Sequence, residues 1–309
     1  MNNTIQSVRT YDFDVLKKTL PKQDVSGVSK YQVPEELMPD VMNQKDCQCC
    51  MACAIAGILS AMSQAKTDNM EQYSISYIYG KHRTVDSTNP GMLAESALRS
   101  MLNCGSIPFE MFPQLVEMPE VKQMVAEHPQ WDKFAEASKL RGYCQIRWNN
   151  SAVKFENIKL ALVNYQMPLL AISKHGFGES HCILLYGFEM RNGEPYVLLQ
   201  NSWGKTYGTN GRVSVALSKI DYVYILFDEK IELPFEDVAP EDWFYKAVRN
   251  MYLQGYVNGK SATEFCPNEH MTRAEVCTLI DRILKRQDEI HQAEFEMLEQ
   301  RLERLEGKA

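Results

Sequence analysis

Residues 43–62 read NQKDCQCCMACAIAGILSAM, and the pattern changes in the middle of this stretch. Polar and turn-forming residues come first, and a nearly continuous apolar run begins at Cys50. This change predicts a helix that begins near Cys50. Unpaired N–H groups at the start of a helix favour negative charge, and they lower the pKa of a thiol that lies there. Cys50 is therefore the candidate nucleophile of the chain.

A nucleophilic thiol needs a base, and the base needs a group that orients it. His181 opens the apolar run HCILLYGF (181–188), and Asn201 lies near the end of the run PYVLLQNSW (195–203). The turn-forming RNGE at 191–194 lies between the two runs and predicts a β-hairpin. Because paired antiparallel strands bring an imidazole and an amide together, we expect Asn201 to hold the His181 ring.

The wider pattern predicts an α+β fold with helices first and strands second. Helical patterns cover residues 74–104, interrupted by the turn-like DSTNPG, and residues 117–140. The first forty residues are polar and predict an extended arm. The second half carries short apolar runs separated by turn residues, typical of an antiparallel sheet: MPLLAI (167–172), HCILLYGF (181–188), PYVLLQNSW (195–203) and RVSVAL (212–217).

The composition limits the classes of function. The 309 residues are 45% hydrophobic and 24% charged, and the net charge is −7. This acidic balance gives no support to binding of nucleic acid or of an anionic membrane surface, since both kinds of binding require basic patches. The apolar runs are too short for a membrane span. The first residues lack the apolar region of a secretory signal.

Nine cysteines occur, so at least one has no partner within the chain. Four of them lie within seven residues, where backbone geometry prevents most mutual pairings. We expect reduced thiols. A zinc or iron–sulfur cluster on these four thiols is an alternative, but a helix that begins at Cys50 turns the side chains in different directions. No metal or cofactor is expected. The cysteines are Cys47, Cys49, Cys50, Cys53, Cys104, Cys144, Cys182, Cys266 and Cys277.

Three motifs in order resemble the papain family of cysteine peptidases. They are NQ-x2-C-x2-C-M-A (43–52), SHCILLYGF (180–188) and LLQNSWGKTYGTNGR (198–212). The resemblance covers roughly residues 30–228, and the interval from Cys50 to His181 fits the about 130–150 residues of that family. The sequences CMACAIAG and GMLAESALRSM (91–101) resemble those of the bacterial branch of this family.

The resemblance implies a papain-like fold with a helical left half and an antiparallel β-sheet or barrel as its right half. It also implies a role for each matching residue: nucleophile Cys50, base His181, orienter Asn201, oxyanion donor Gln44, water shield Trp203 and groove residue Gly91. Two positions depart from the family pattern. Met51 stands where most members have Trp, and the cysteine that usually pairs with the equivalent of Cys47 is missing.

Residues 235–285 resemble one S-layer homology (SLH) repeat, through FEDVAPEDWFYKAVRNMYLQGYVNG and FCPNEHMTRAEVCTLIDRIL. In that family the TRAE motif helps to bind secondary cell-wall polymers, so the resemblance implies that Arg273 contacts an anionic saccharide group. Thr272 and Glu275 predict a capping box at the start of a helix. Trp243 is expected in the core of the module. The alternative is a small helical module retained for packing or assembly.

The charged tail carries Phe295, Leu298, Leu302 and Leu305 at spacings of three and four, typical of a short coiled coil that could form a homo-oligomer. The predicted organisation is an N-terminal arm (1–40), a papain-like domain (41–230), an SLH-like module (233–286) and this tail (287–309). Reduced thiols favour a cytoplasmic or particle-associated location, whereas the SLH-like module favours the cell surface, and both stay open.

The leading functional hypothesis is a thiol-dependent endopeptidase that acts on peptides or proteins. The alternative from another class is a non-catalytic binding or structural protein built on the same fold. Transfer of the acyl group to an amine instead of water would use the same residues.

Overall fold

The computed structural model describes residues 10–19, 23–83, 91–113, 120–229, 232–285 and 287–288. The chain divides into two compact units, residues 1–231 and residues 232–309. In the part of the chain that the structure describes, no helix is long and apolar enough to span a membrane.

The helices of the first unit lie mostly in its first half, as the sequence predicts. The longest early helix, α2, begins at Cys50 and is buried without interruption from Met51 to Met62. A helix that is buried on all sides needs apolar residues all round, which explains the unbroken apolar run. The helices are α1 (Phe13–Thr19), α2 (Cys50–Thr67), α3 (Ile75–His82), α4 (Ala94–Met101), α5 (Glu120–Glu127), α6 (Trp131–Ala135) and α7 (Ser151–Tyr165).

The described strands of this unit form one eight-stranded sheet in the order β1-β3-β8-β4-β5-β6-β7, with β2 paired to β5. All pairs are antiparallel except β1 with β3. The predicted α+β class is therefore confirmed. The strands are β1 (Thr10–Tyr11), β2 (Lys30–Gln32), β3 (Gly142–Gln145), β4 (Leu169–Phe177), β5 (Glu179–Arg191), β6 (Glu194–Gln200), β7 (Arg212–Ala216) and β8 (Tyr222–Phe227).

The hairpin of β5 and β6 carries the two residues expected to act as base and orienter. Its turn places Asn192 at φ 50° and Gly193 at φ 83°. Two successive positive φ values are the requirement of a type I′ turn, which Asn-Gly satisfies. Arg191 pairs with Glu194 beside the turn, and Leu184 pairs with Gln200 at the other end of the ladder. This register brings the start of β5 next to the residues that follow β6.

The prediction of an extended arm over residues 1–40 is wrong for much of its described part. Phe13–Thr19 is helical, and two short strands join the sheet. β1 pairs with β3, and β2 pairs with β5. Apolar residues of α1 such as Leu16 are fully buried, so this segment contributes to the folded core instead of lying over its surface.

The second unit contains α8 (Tyr245–Leu253) and a helix over residues 273–285. The predicted capping box is present, since Glu275 accepts hydrogen bonds from the Thr272 N–H and hydroxyl, and Thr272 accepts one from the Glu275 N–H. The expectation that Trp243 lies in the core is wrong, because its side chain is 93% exposed. Phe235 forms aromatic contacts with Tyr252 and Phe265 inside this unit. The predicted coiled coil lies outside the described residues, apart from 287–288.

Candidate active site

The thiol of Cys50 lies at the N-terminus of α2, as the sequence predicts. Burial raises the pKa of this thiol, and hydrogen bonds from the backbone N–H groups of Cys182, Met51 and Cys50 itself oppose that shift. The amides of Met51 and Cys50 belong to the first turn of the helix, where N–H groups have no helical partner. Because the net shift is upward, the thiol needs a base to give up its proton at neutral pH.

The imidazole of His181 and the amide of Asn201 form a direct hydrogen bond, with Nε2 and Oδ1 2.8 Å apart. The Oδ1 atom also accepts a hydrogen bond from the Ser202 N–H at 2.7 Å, which fixes the orientation of the amide. Because Asn201 Oδ1 accepts the hydrogen bond from the ring, the proton lies on Nε2 of His181. The Nδ1 atom of the neutral ring therefore carries a lone pair. The Nδ1 atom is thereby the ring nitrogen that can accept a proton.

The surroundings of His181 favour the neutral ring. Only 6% of the residue is exposed. Burial lowers the pKa of His181, and the hydrogen bond to Asn201 opposes that shift. The Trp203 ring lies 4.6 Å from the imidazole between centroids, and Phe177 lies 5.5 Å away on another side. These two rings also contact each other at 6.0 Å, so they cover the His181–Asn201 hydrogen bond against water.

The packing of α2 against β5 brings Cys50 near the segment that contains His181. The Cys182 amide, next in sequence to His181, donates to the Cys50 sulfur. The Cys182 thiol itself lies 3.6 Å from the Met51 sulfur, so residues 50–51 face residues 181–182. Among the described residues, Cys50 and His181 share no hydrogen bond.

Gln44 is held in place by three hydrogen bonds, to Cys47 and to Ser202. Its side chain is buried, and its Nε2 donates to the Cys47 carbonyl at 2.7 Å. Its Oε1 accepts a hydrogen bond from the Ser202 hydroxyl at 2.5 Å, and its backbone N–H donates to the Ser202 carbonyl at 2.8 Å. Since the amide nitrogen carries two protons, one stays available for a developing negative charge. Ser202 thus links Gln44 to Asn201, a contact that sequence reasoning missed.

The other predicted site residues lie in separate places. Gly91 accepts a hydrogen bond from Arg83 Nε through its carbonyl at 3.2 Å, in the segment before α4. Arg273 is exposed near the start of the helix over residues 273–285 in the second unit. Within the described residues, no ion pair involves Arg273. The described chain also contains no group of three or more His, Cys, Asp or Glu side chains arranged to hold a metal ion.

An α+β fold that carries a thiol at a helix N-terminus and an imidazole–amide pair agrees with the cysteine-protease class. The family model of papain family cysteine proteases matches residues 30–225. The chain therefore belongs to the papain family of cysteine proteases. A second family model, the S-layer homology domain, matches residues 234–277.

Individual relatives agree with this assignment. A viral cathepsin of Cydia pomonella granulosis virus is 23% identical over 211 residues, which are 66% of this chain and 59% of the relative. This chain thus spans less than two thirds of the length of that relative. The surface-layer 125 kDa protein of Lysinibacillus sphaericus is 37% identical over 49 residues, which are 16% of this chain and 4% of that protein.

The solved structure of the bromelain protease from Ananas comosus shares the fold. Its TM-score is 0.52 at 15% identity, and the match covers 65% of this chain and 99% of bromelain. Identity at this level supports the fold alone, so the chemistry of the site rests on the residues described above.

Proposed function

We propose that this protein is a thiol-dependent endopeptidase in which Cys50 is the nucleophile and His181 the base. The observation that carries the proposal is the hydrogen bond between His181 Nε2 and Asn201 Oδ1. It sets the tautomer in which Nδ1 can accept a proton, beside a thiol at a helix N-terminus. The Trp203 ring over the imidazole supports the proposal, because it keeps water away from that hydrogen bond.

The proposed reaction follows from these positions. The Cys50 sulfur attacks the carbonyl carbon of the scissile bond, and the thiol proton moves to His181 Nδ1. The Gln44 amide and the Cys50 N–H donate hydrogen bonds to the developing oxyanion, and losing one such donor typically costs about 10²–10³ in rate. His181 then protonates the leaving amine, which leaves a thioester on Cys50. Water hydrolyses the thioester and restores the thiol. Gly91 is proposed to pair with the substrate backbone.

Cleavage of a mixed peptide library by the full chain tests the proposal. We expect cleavage by the wild type and none by Cys50→Ala. The matched control is Cys277→Ala, which removes an exposed thiol of the second unit and is expected to cleave like the wild type. Equal cleavage by wild type and Cys50→Ala would reject the proposal. The same digests with added amine nucleophiles separate hydrolysis from acyl transfer.

A non-catalytic role on the same fold is the second candidate. The observation that favours it is the net upward shift of the Cys50 pKa, which burial causes. Under that alternative the folded protein binds peptides without cleaving them, and the thiol reacts with alkylating agents no faster than a small thiol in solution. Faster alkylation of Cys50 than of Cys277 at pH 6 would reject it.

For the second unit, we propose that the SLH domain binds an anionic cell-wall saccharide through Arg273 and holds the enzyme at a cell surface. The exposure of Arg273 supports this role, since a guanidinium fork suits a carboxylate or phosphate. Sedimentation of the full chain with purified cell walls tests it. We expect Arg273→Ala to reduce the bound fraction several-fold, while Lys285→Ala, on the same helix, leaves it unchanged. Equal binding of both variants would reject the role of Arg273.

We also propose that the C-terminal segment joins copies of the chain. Val276, Ile280 and Leu284 are 40%, 51% and 54% exposed at spacings of four on the helix over residues 273–285. Such spacing places them on one stripe, and the apolar spacing continues in residues 295–305. Light scattering of the full chain is expected to give an oligomer that deletion of residues 287–309 weakens. A monomer before and after deletion would overturn the proposal.

A further inference from the structure

A cavity of about 720 Å³ opens on the surface of the first unit, outside the proposed catalytic residues. This volume lies within the range of about 300–1,000 Å³ that is typical of ligand sites. The cavity is lined by Tyr186, Leu198 and Ser214, on the neighbouring strands β5, β6 and β7. Leu198 pairs with Ser214 on one side and with Gly187, which follows Tyr186, on the other. The floor of the cavity is therefore one row across three strands.

Hydrogen bonds hold the walls of the cavity in place. Residues 38–41 form one wall, and Arg212 lies in the other. Arg212 donates to the two carboxylate oxygens of Glu35 at 2.7 and 2.6 Å and to Gln200 Oε1 at 3.0 Å. The Gln200 amide in turn donates to the Pro39 carbonyl at 2.8 Å. The cavity is therefore already formed in the folded chain, as ligand sites usually are.

Ser214 brings an unpaired hydroxyl to this cavity. Its Oγ atom is buried and has no hydrogen-bond partner among the described residues. Because side chains alternate along a strand, Ser214 points to the same face of the sheet as Arg212 and as its partner Leu198. Both of those residues line the cavity. A buried hydroxyl without a partner is unfavourable, so a ligand that forms a hydrogen bond with it gains affinity.

The backbone of Ser214 faces the open edge of the sheet. β7 is the terminal strand of the described sheet. The Gly211 carbonyl bonds toward β6, where it accepts from the Asn201 N–H, whereas Arg212 exchanges both of its backbone hydrogen bonds with Thr209. Since backbone groups alternate between the two edges of a strand, those of Ser214 point away from β6. Such an edge pairs with an extended peptide.

Two neighbouring segments connect the cavity to the proposed catalytic site. The Gly204 N–H donates to the Met42 carbonyl at 2.9 Å, so the two segments lie side by side. Lys205 and Val41, the next residue on each segment, both line the cavity. Trp203, which covers the proposed base, lies two residues before Lys205, a span of at most about 7 Å.

The proposed reaction indicates which side of a substrate reaches the cavity. His181 protonates the leaving amine, so the chain that follows the scissile bond begins next to His181. The Trp203 ring lies 4.6 Å from the imidazole. The leaving side of an extended substrate therefore passes Trp203, and the cavity begins just beyond it.

We propose that this cavity is a second binding site, which holds an extended and mainly uncharged segment of a protein substrate on the leaving side of the scissile bond. The inference rests on the proposed function and deepens it. The lining carries two acidic and two basic side chains, so it does not attract a segment of either charge. Its apolar residues suit alternate apolar side chains of the segment, and these residues are Met38, Val41, Tyr186, Leu198 and Val213.

Steady-state kinetics of the full chain with two substrates test the inference. The short substrate is a peptide aminomethylcoumarin amide, which has no residue on the leaving side, and the long one is casein, a disordered protein. Ser214→Phe fills the cavity, and Thr209→Trp fills it from the exposed rim. Both variants are expected to raise the KM for casein at least fivefold and to change kcat/KM for the short amide less than twofold. The control Ser218→Phe, exposed and outside the cavity, is expected to change neither.

Equal losses with both substrates, or an unchanged KM for casein in both variants, would overturn the inference. A binding measurement separates it from catalysis. Fluorescein-labelled casein is expected to bind Cys50→Ala at least fivefold more tightly than Cys50→Ala combined with Thr209→Trp, measured by anisotropy. Equal binding would overturn the inference.

Two further outcomes are decisive. If Ser214→Phe changes the oligomer size in light scattering and leaves casein binding unchanged, a second copy of the chain covers the cavity and the inference is overturned. A chain that binds casein through the cavity and cleaves neither substrate would retain the binding site and reject the endopeptidase.

Discussion

His181 Nε2 donates a 2.8 Å hydrogen bond to Asn201 Oδ1 at the end of the β5–β6 hairpin, beneath the ring of Trp203. The donor and acceptor lie twenty residues apart, and the intervening Asn-Gly turn sets their register. Because the amide also accepts the Ser202 N–H, its oxygen cannot turn away without leaving a second donor unpaired. The His181 ring is thus held by the same local structure that builds the hairpin.

Asn201→Ala is expected to lower kcat/KM by at least about tenfold. A hydrogen bond of this kind is worth about 1–1.5 kcal/mol, which corresponds to about a tenfold change in rate. Steady-state kinetics with one peptide substrate measure the effect. The control is Asn69→Ala, an exposed position just beyond the end of α2. A change smaller than twofold in Asn201→Ala would show that the amide does not orient the base.

Trp203→Ala is expected to move the acidic limb of the kcat/KM profile to higher pH. Burial holds the pKa of His181 below its ordinary value of 6.5. A base must be neutral, so activity falls as the pH drops through the pKa of the site. Removing the Trp203 ring admits water, which raises that pKa toward 6.5. A limb that stays in place or moves to lower pH contradicts this account. The apparent pKa that sets this limb is a property of the coupled Cys50–His181 pair, not of His181 alone.

His82 is expected to make the stability of the first unit depend on pH. It is buried in α3, with hydrogen bonds to the Ser100 hydroxyl and the Gly105 carbonyl, and burial lowers its pKa from 6.5 to about 4. Between these values the unfolded chain binds a proton that the folded chain does not, so the free energy of unfolding falls as the pH falls. The stabilisation is fully present above pH 6.5.

The expected loss between pH 6.5 and pH 4 is roughly 3 kcal/mol. Urea unfolding of wild type, His82→Gln and the control His270→Gln at several pH values measures it. His82→Gln is expected to be less stable at pH 7 and to lose less stability on acidification. Parallel pH profiles for wild type and His82→Gln would exclude His82 as the source.

Gly187→Ala is expected to lower the free energy of unfolding by about 1–3 kcal/mol, the usual cost of overpacking. A Cβ on Gly187 would lie 2.5 Å from the Tyr31 carbonyl oxygen, so β2 and β5 could not keep their present spacing. The matched control is Gly27→Ala, where a Cβ would meet no atom within 4 Å. Equal unfolding midpoints for the two variants would argue against close packing of β2 on β5.

The expected positions of Cys50, His181 and Asn201 that the structure reproduces are encoded locally. The His181–Asn201 contact depends on two apolar runs and one Asn-Gly turn within residues 181–203, and the position of Cys50 depends on one change of pattern. The contact between Gln44 and Ser202 spans 158 residues. Neither residue carries a periodic signal, so only the folded chain reveals that Ser202 connects Gln44 to Asn201.

Two sequence predictions are wrong, the extended arm and the buried Trp243. The first fails because the elements are very short, and the second because the residue type is usually buried. β1 has two residues and pairs with β3 from the other half of the first unit, too little for an apolar alternation to reveal. Polar composition alone therefore predicts an arm. Trp243 precedes α8 and is exposed, although a large aromatic residue in a helical pattern is usually buried.

The most direct test of the central claim is labelling of the full chain by an epoxide thiol inhibitor, with peptide mapping and a parallel activity assay. The account predicts one label per chain on Cys50, loss of peptide cleavage in proportion to labelling, and no label on the folded Cys50→Ala variant. Cleavage that persists after Cys50 is fully labelled, or a folded wild type whose Cys50 stays unmodified while other thiols react, would contradict it.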